Sequence, residues 1–560
     1  MEERIRKVIQ EALVSTGAPE STFTVERPPE MEQGDYATNA ALAVAKALGK
    51  NPREVAEKLA QKLKDALGES AERVEVAGAG FINITLSRGQ VSLAVAEAVA
   101  KGEEWGKGNA QAGQQVMVEY TSPNLFKPLH IGNLVGNVLG ESVTRLFEST
   151  GASVVRINYP SDIGLTVAKG VWGLRTHVLD PSDIAQLGKA YVLGNTAYEE
   201  GAPAQKEEIE HINRLLYAET DAELNSLRQA GVDTSKKHLD ELCRALGTIF
   251  DQVYFESQSG PRGRDMVRAH IADGIFEESD GAIIYRGEKK GLHTRVFINS
   301  QGLPTYEAKD IGLFDLKSRA NPEFTTSLTI TGAEQAEYFK VVIEAVKEVF
   351  ADRVKGKALL HMANGFLRLT TGKMSSRKGN VITGESLLED VKRLSLTKMK
   401  DRSIENAEKV AEQVAIGAIK YMILRQSPGS DIIFDPEKSL SLEGDSGPYL
   451  QYALVRARSV LSKAPSTKHQ ARNEMPTQPY PLERIILHYP EVAARAAREL
   501  APNLLVNYLT ELAAAWNAFY AKEQVLGSPE EIYKQRVARA FANTMANGLG
   551  LLGIPAPEKM

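Results

Sequence analysis

His130, Gly132 and Asn133 stand together in the stretch "KPLHIGNL", Lys127 to Leu134. An imidazole and a carboxamide both carry donors that can meet phosphate oxygens, and glycine lets a ligand approach the backbone closely. A second group lies in "TTGKMSSRKGN", Thr370 to Asn380, where Lys373, Arg377 and Lys378 are set among glycines and small hydroxyls. Such a loop can carry positive charge to a triphosphate. It is not a Walker A loop, because the spacing G-x-x-x-x-G-K-[ST] is missing. Each group also has a plain structural reading. Gly132, Gly136 and Gly140 recur every four residues and share one helix face, which suits tight helix-on-strand packing as well as a nucleotide.

The elements that must position these residues follow from periodicity. "QVMVEY", the pattern after His130 and "SVVRINY" read as strand, helix, strand, so the first group opens a helix just past the carboxyl end of a strand. Free N–H groups and the helix dipole favour phosphate there. A second alternating block, about 293–382, holds "RVFINS", "TSLTITG" and "ALLHMANGFLRL" and reads as the other half of a parallel sheet. The expected organisation is a small α/β domain at 1–109, a Rossmann-type domain at 110–385 with a charged helical insertion at about 170–290, and an all-α helical bundle at 386–560.

Composition sets the bounds. With 560 residues, 43% hydrophobic, the chain can bury several cores. No window approaches the ~18 apolar residues of a membrane span, and the amphipathic start "MEERIRKVIQEALVSTG" lacks the apolar region of an export signal, so a cytoplasmic protein is expected. The single cysteine, Cys243, can form neither an internal disulfide nor a cysteine-rich metal site. A net charge of −5 does not announce a nucleic-acid partner. Locally, Arg456, Arg458, Lys463, Lys468 and Arg472 fall in a stretch without acids, a strip that fits either a phosphate backbone or a solvated face.

Taken as a pair, "HIGN" after the first strand and "KMSS" after the last resemble the HIGH and KMSKS signatures of class I aminoacyl-tRNA synthetases. "EYTSPNLFKPLHIGNL", "INYPSDIG", "YEAKDIG", "DSGPYLQYALVRAR" and "LLGIPAPEKM" resemble the arginyl-tRNA synthetase family, and "GDYATNAALAVAKALGKNPREVAEKLAQKL" its N-terminal tRNA-binding domain. The resemblance runs from end to end and is weakest in the insertion. It implies activation of L-arginine with ATP to arginyl-adenylate, then transfer to the terminal adenosine of tRNA(Arg), with activation requiring tRNA. Magnesium accompanies the triphosphate, no zinc site is evident, and a monomer that needs no membrane is expected.

Carried onto matching positions, Pro128, His130, Gly132, Asn133, Lys373, Met374, Ser375 and Ser376 would bind ATP. His130 and Asn133 would stabilise the α-phosphate in the transition state, and Lys373 the departing pyrophosphate. Glu119 and Asp310 would face the guanidinium with Tyr306 beside it, and Asn124 and Gln335 would hold the α-amino and carboxylate groups. The chemistry agrees, since a planar five-donor fork is best met by carboxylates, and Tyr306 and Asp310, four apart, share a helix face. Tyr449, Gln451, Tyr452, Arg456 and Trp516 would read the anticodon, and "GDYATN" with Phe81 to Asn83 would lie near the tRNA elbow.

Two positions depart from the family's commoner pattern: Asn133 replaces the second histidine of HIGH, and Ser376 the second lysine of KMSKS, with Arg377 and Lys378 alongside. Another class I synthetase would share HIGN and KMSS but not the Glu119, Tyr306 and Asp310 set. A small nucleotidyltransferase would need neither flanking domain. Intact His130, Gly132 and Lys373 argue against a non-catalytic tRNA-binding paralogue.

Overall fold

The computed structural model describes residues 1–15, 17–370, 383–399, 405–463 and 475–560. Two compact units are each assembled from separate stretches of chain. One comprises Met1–Gly106, Ala453–Ala493 and Tyr508–Gly548, the other Lys107–Tyr452, Ala494–Asn507 and Leu549–Met560.

In the first unit, β1 (Val25–Glu26), β2 (Tyr36–Thr38), β3 (Ala71–Ala77) and β4 (Phe81–Leu86) form an antiparallel sheet in the order β1-β2-β4-β3. The alternation in "FINITL" turns Ile82, Ile84 and Leu86 into a core with Ile5, Ile9, Val44, Leu59 and Leu63 of three helices. The helix Pro52–Leu67 starts where its sequence says it should: Asn51 accepts from the Arg53 N–H, and Pro52 takes the first position. Gly34 (φ 110°) is required, because a Cβ there would stand 2.7 Å from the Ile84 carbonyl oxygen.

In the second unit, β5 (Gln115–Glu119), β6 (Ser153–Asn158) and β7 (Gln252–Val253) run parallel. A hairpin of β8 (Glu277–Ser279) and β9 (Ala282–Tyr285) pairs through β9 with β10 (Arg295–Ile298) in a separate antiparallel sheet. β11 (Thr326–Gly332) and β12 (Ala358–Asn364) complete the parallel sheet in the order β12-β11-β5-β6-β7. β13 (Leu367–Leu369) pairs with β14 (Ile432–Phe434).

Two expectations are corrected here. "RVFINS" belongs to the antiparallel sheet, because Asp280 and Gly281, both at positive φ, close a tight hairpin that offers β10 an edge. The 170–290 segment is helical only in part: it contributes β7 to the parallel sheet, and a hairpin besides its helices Leu165–His177, Ile184–Glu200, Pro203–Ala218, Ala222–Ala245 and Glu256–Ala269. The helical C-terminal region is as expected: past residue 384 the described elements are helices, with β14 as the one strand among them.

Strand order decides where a ligand goes. From β5 the sheet grows through β6 to β7 in one direction, and β11 then returns to the other side of β5. The switch point lies between β5 and β11, and the crevice beyond their carboxyl ends is the binding position of open α/β sheets.

Candidate active site

A cavity of about 500 Å³ opens at that crevice. Its walls come from the segment after β5 (Thr121, Asn124, His130, Gly132, Asn133, Gly136), the turn after β11 (Glu334, Gln335) and the segment after β12 (Asn364, Phe366). Five of the sequence-predicted residues, Asn124, His130, Gly132, Asn133 and Gln335, thus line one space. The glycine series divides. The place of a Cβ on Gly140 is filled by the Tyr120 ring, 2.3 Å away, which is helix-on-strand packing, whereas Gly132 and Gly136 border the cavity.

His130 is the N-cap of the helix Ile131–Ser149: its Nδ1 accepts from the Gly132 N–H at 3.1 Å. An accepting Nδ1 leaves the proton of the neutral ring on Nε2, free to donate. Desolvation in the cleft and the Lys127 ammonium hold this imidazole below the ordinary histidine range, so it is neutral at pH 7. Asn133 lies inside the helix, so capping is not its role. Its Nδ2 donates to the Thr121 carbonyl at 2.7 Å, where the backbone turns through positive φ. One of its two N–H bonds holds the loop after β5, and the other remains for a ligand.

Lys373, Met374, Ser375 and Ser376, with Arg377 and Lys378, lie outside the described residues. Their flanks are placed. Thr370 N–H donates to the Phe434 carbonyl at 3.1 Å, and Gly384 N–H to the Leu129 carbonyl at 2.9 Å, next to a bridge between Thr383 and His130. The exit of the second signature is therefore anchored on the first. Pro128 is exposed and lines a neighbouring cavity of about 560 Å³ instead, separated from the main one by the 123–129 segment.

The carboxylates proposed for the guanidinium line a different cavity, which shares no lining residue with the main one. Glu119, the last residue of β5, and Asp310, on the helix Tyr306–Ala320, border a small cavity together. Burial and the Glu119 carboxylate push the Asp310 carboxyl up to about 8, against the hydrogen bond from the Tyr338 hydroxyl and the pull of Lys317. Glu256 also faces it, as does Tyr159, whose hydroxyl is bonded to Ser259. Tyr306, one turn earlier, is 63% exposed and lines neither cavity, with the Lys309 ammonium 5.1 Å from its ring centre. Lys309 is itself paired with Glu256.

Sequence reasoning missed two residues. Asp162, inside "INYPSDIG", accepts from the Ser257 N–H at 2.9 Å and its hydroxyl at 2.6 Å and pairs with Arg228, tying the loop after β6 to the helix Glu256–Ala269. Lys317 donates to Glu119 Oε2 at 2.6 Å.

Among the residues assigned to tRNA, two are corrected. Trp516 is 0% exposed and stacks on Phe541 with ring centres 4.6 Å apart. Gln451 is equally buried, and its Nε2 donates to the Gln413 and Pro555 carbonyls at 2.9 and 2.6 Å. Neither has a face to offer a base. Tyr449, Tyr452 and Arg456 are partly exposed, the last with its guanidinium 4.1 Å from the Tyr520 ring centre. Asn83 is partly exposed on β4 beside the exposed Phe81. Asp35 and Tyr36 of "GDYATN" are buried and engaged within their unit, Asp35 with Arg484 and Tyr36 through its hydroxyl with Glu491 at 2.8 Å.

Comparison with known proteins identifies the family. The family described as tRNA synthetases class I (R), catalytic domain, matches residues 94–436; the arginyl tRNA synthetase N terminal domain matches 2–86; the DALR anticodon binding domain matches 450–560. The arginine–tRNA ligase of Thermococcus sibiricus is 32% identical over 646 residues, covering 100% of this chain and 98% of that protein. That of Treponema denticola is 28% identical over 96% of this chain and 95% of its own. Among solved structures, Thermus thermophilus arginyl-tRNA synthetase superposes over 100% of both chains with a TM-score of 0.81 at 26% identity.

Proposed function

Since the chain belongs to the arginyl-tRNA synthetase family, and so charges tRNA(Arg) with arginine at the expense of ATP, we propose how its residues divide that work. The observation that carries the proposal is the cavity at the switch point, where His130, Asn133, Asn124 and Gln335 converge. Arginine enters with its guanidinium toward Glu119 and Asp310, with Tyr306 beside it. Asn124 and Gln335 hold its α-amino and carboxylate groups. The carboxylate oxygen attacks the α-phosphorus of ATP and pyrophosphate leaves. His130, through Nε2–H, and the free N–H of Asn133 meet the charge that develops on the α-phosphate oxygens, while Lys373 draws the pyrophosphate away. Gly132 lets the phosphate approach the helix N-terminus, and Pro128, Met374, Ser375 and Ser376 complete the ATP contacts. The hydroxyl of the terminal adenosine then attacks the activated carbonyl and AMP leaves.

Magnesium would travel with the triphosphate. Among the described residues, Glu334 is the one carboxylate lining the main cavity, which suits a cation held mostly by phosphate oxygens and water. Tyr449, Tyr452, Arg456 and Asn83 are the RNA-facing candidates, the enzyme acts as a cytoplasmic monomer, and activation waits for tRNA.

The test of the phosphate roles is Asn133→Asp. A carboxylate neither donates to Thr121 nor tolerates the α-phosphate, so arginine-dependent pyrophosphate exchange, run with tRNA, should fall on the order of a hundredfold or more, with the arginine KM little changed. Full activity would remove Asn133 from the mechanism. Omitting tRNA from the same assay should abolish exchange, and fast exchange without it would refute the requirement.

A further inference from the structure

Lys317 lies two turns beyond Asp310 on the helix Tyr306–Ala320 and so shares its face. Its side chain is 6% exposed, and its Nζ meets Glu119 Oε2 at 2.6 Å. The two carboxylates of the small cavity are therefore each engaged on one oxygen by the protein, Glu119 by Lys317 and Asp310 Oδ2 by Tyr338. Among the described residues, no hydrogen bond reaches Glu119 Oε1 or Asp310 Oδ1, which leaves one acceptor on each side for a ligand.

A fixed ammonium against one of two substrate-facing carboxylates does more than hold it still. Lysine is the natural amino acid whose cation most resembles arginine's. Its terminal ammonium is a compact point charge, which at Glu119 would meet a second point charge across the same carboxylate. A guanidinium spreads its charge over three nitrogens and can offer one edge to each open oxygen. Building repulsion against the wrong ligand is an efficient route to specificity where both ligands are attracted by the same carboxylates. We propose that Lys317 is a specificity-determining residue of the arginine site, excluding lysine and other alkylammonium amino acids by like-charge repulsion while positioning Glu119 for the guanidinium. This rests on the assignment of Glu119 and Asp310 to the guanidinium.

The experiment compares kcat/KM for arginine and for lysine, in the tRNA-dependent formation of aminoacyl-adenylate by the full chain. Lys317→Gln keeps a hydrogen-bond donor for Glu119 and removes the charge; the arginine-over-lysine ratio should fall at least about tenfold, whereas Lys317→Arg should hold it within about threefold. A purely structural lysine would lower both substrates together and leave the ratio unchanged, which overturns the proposal. Should Lys317→Gln fail to fold, the double variant Glu119→Gln/Lys317→Met, which buries no charge, replaces it and is compared with Glu119→Gln alone. A lower ratio in the double variant supports the repulsion, and an equal ratio overturns it. Glu119→Gln also separates the two readings: an unchanged arginine KM there removes Glu119 from the site and both readings fall, while a raised KM with an unmoved ratio in the Lys317 variants refutes only the role of Lys317.

Discussion

Asp310 carries a pH dependence that can be read directly. With its carboxyl raised to about 8, the unliganded site holds a proton at neutral pH, and a guanidinium favours the ionised form. Arginine binding near pH 7 should release close to one proton, and affinity should tighten by up to about tenfold per pH unit until the pH passes about 8. Calorimetry in buffers of differing ionisation heat measures both, and Asp310→Asn should erase the release. The linkage to stability has the same origin: a carboxyl whose folded value is raised contributes its stabilisation below the unfolded value and loses it as pH rises through about 8. The melting temperature without arginine should therefore drop across that window relative to Asp310→Asn. His130 and Asn133 were legible in sequence because their chemistry is local to one strand–helix turn. Lys317 was not, because it acts on a partner 198 residues away, and only the meeting of β5 with the Tyr306–Ala320 helix reveals it.

At the scale of elements, the helix that carries Tyr306, Asp310 and Lys317 is held by contact between backbones. A Cβ on Gly263 would stand 1.7 Å from the Ala308 carbonyl oxygen, and one on Gly312 2.0 Å from that of Ser259. Gly312→Ala must therefore push the helices Glu256–Ala269 and Tyr306–Ala320 apart. Overpacking of this kind costs about 1–3 kcal/mol, to be read from urea unfolding. The arginine KM should rise several-fold while the ATP KM holds, because the displaced helix bears the groups proposed for the guanidinium and no wall of the main cavity. Unchanged values on both counts would refute the close-packing account. β5 was visible as the apolar run "QVMVEY", and β11 as the strand-like "TSLTITG". β10 was assigned to the wrong sheet because alternation specifies a strand but not its neighbour, although the Asp280-Gly281 pair beside it was a hairpin signal in plain sight.

For the molecule as a whole, the second unit is closed by its own C-terminal segment. Arg145 and Ser142, on the helix that His130 caps, bond the Gly550 and Leu551 carbonyls at 2.9 and 3.2 Å. Lys420 is buried, has no carboxylate bonded to it among the described residues, and donates to the Leu246 and Gly553 carbonyls at 2.6 and 2.7 Å. Burial and the neighbouring Arg145, partly offset by Glu141, bring its ammonium down to about 7. A lysine depressed in the fold contributes stability that is complete above its unfolded value and is lost as pH falls through about 7. Raising the pH from about 7 to 9 should therefore stabilise the protein more than Lys420→Met, as measured by thermal melting. Parallel pH curves would show that Lys420 does not titrate in this window. The end-to-end family resemblance located this segment as "LLGIPAPEKM", but its clasp could not be seen, since the partners are backbone carbonyls and carry no sequence signature.

That clasp also fixes an order in time. A ribosome makes Gly550 405 residues after Arg145, on the helix that it clasps, and the first 106 residues must wait for the stretches beginning at 453 and 508 before their own unit is complete. A nascent polypeptide stalled short of Gly550 therefore already carries His130, Asn133, Asp310 and Lys317 and lacks the bonds that close the helix His130 caps.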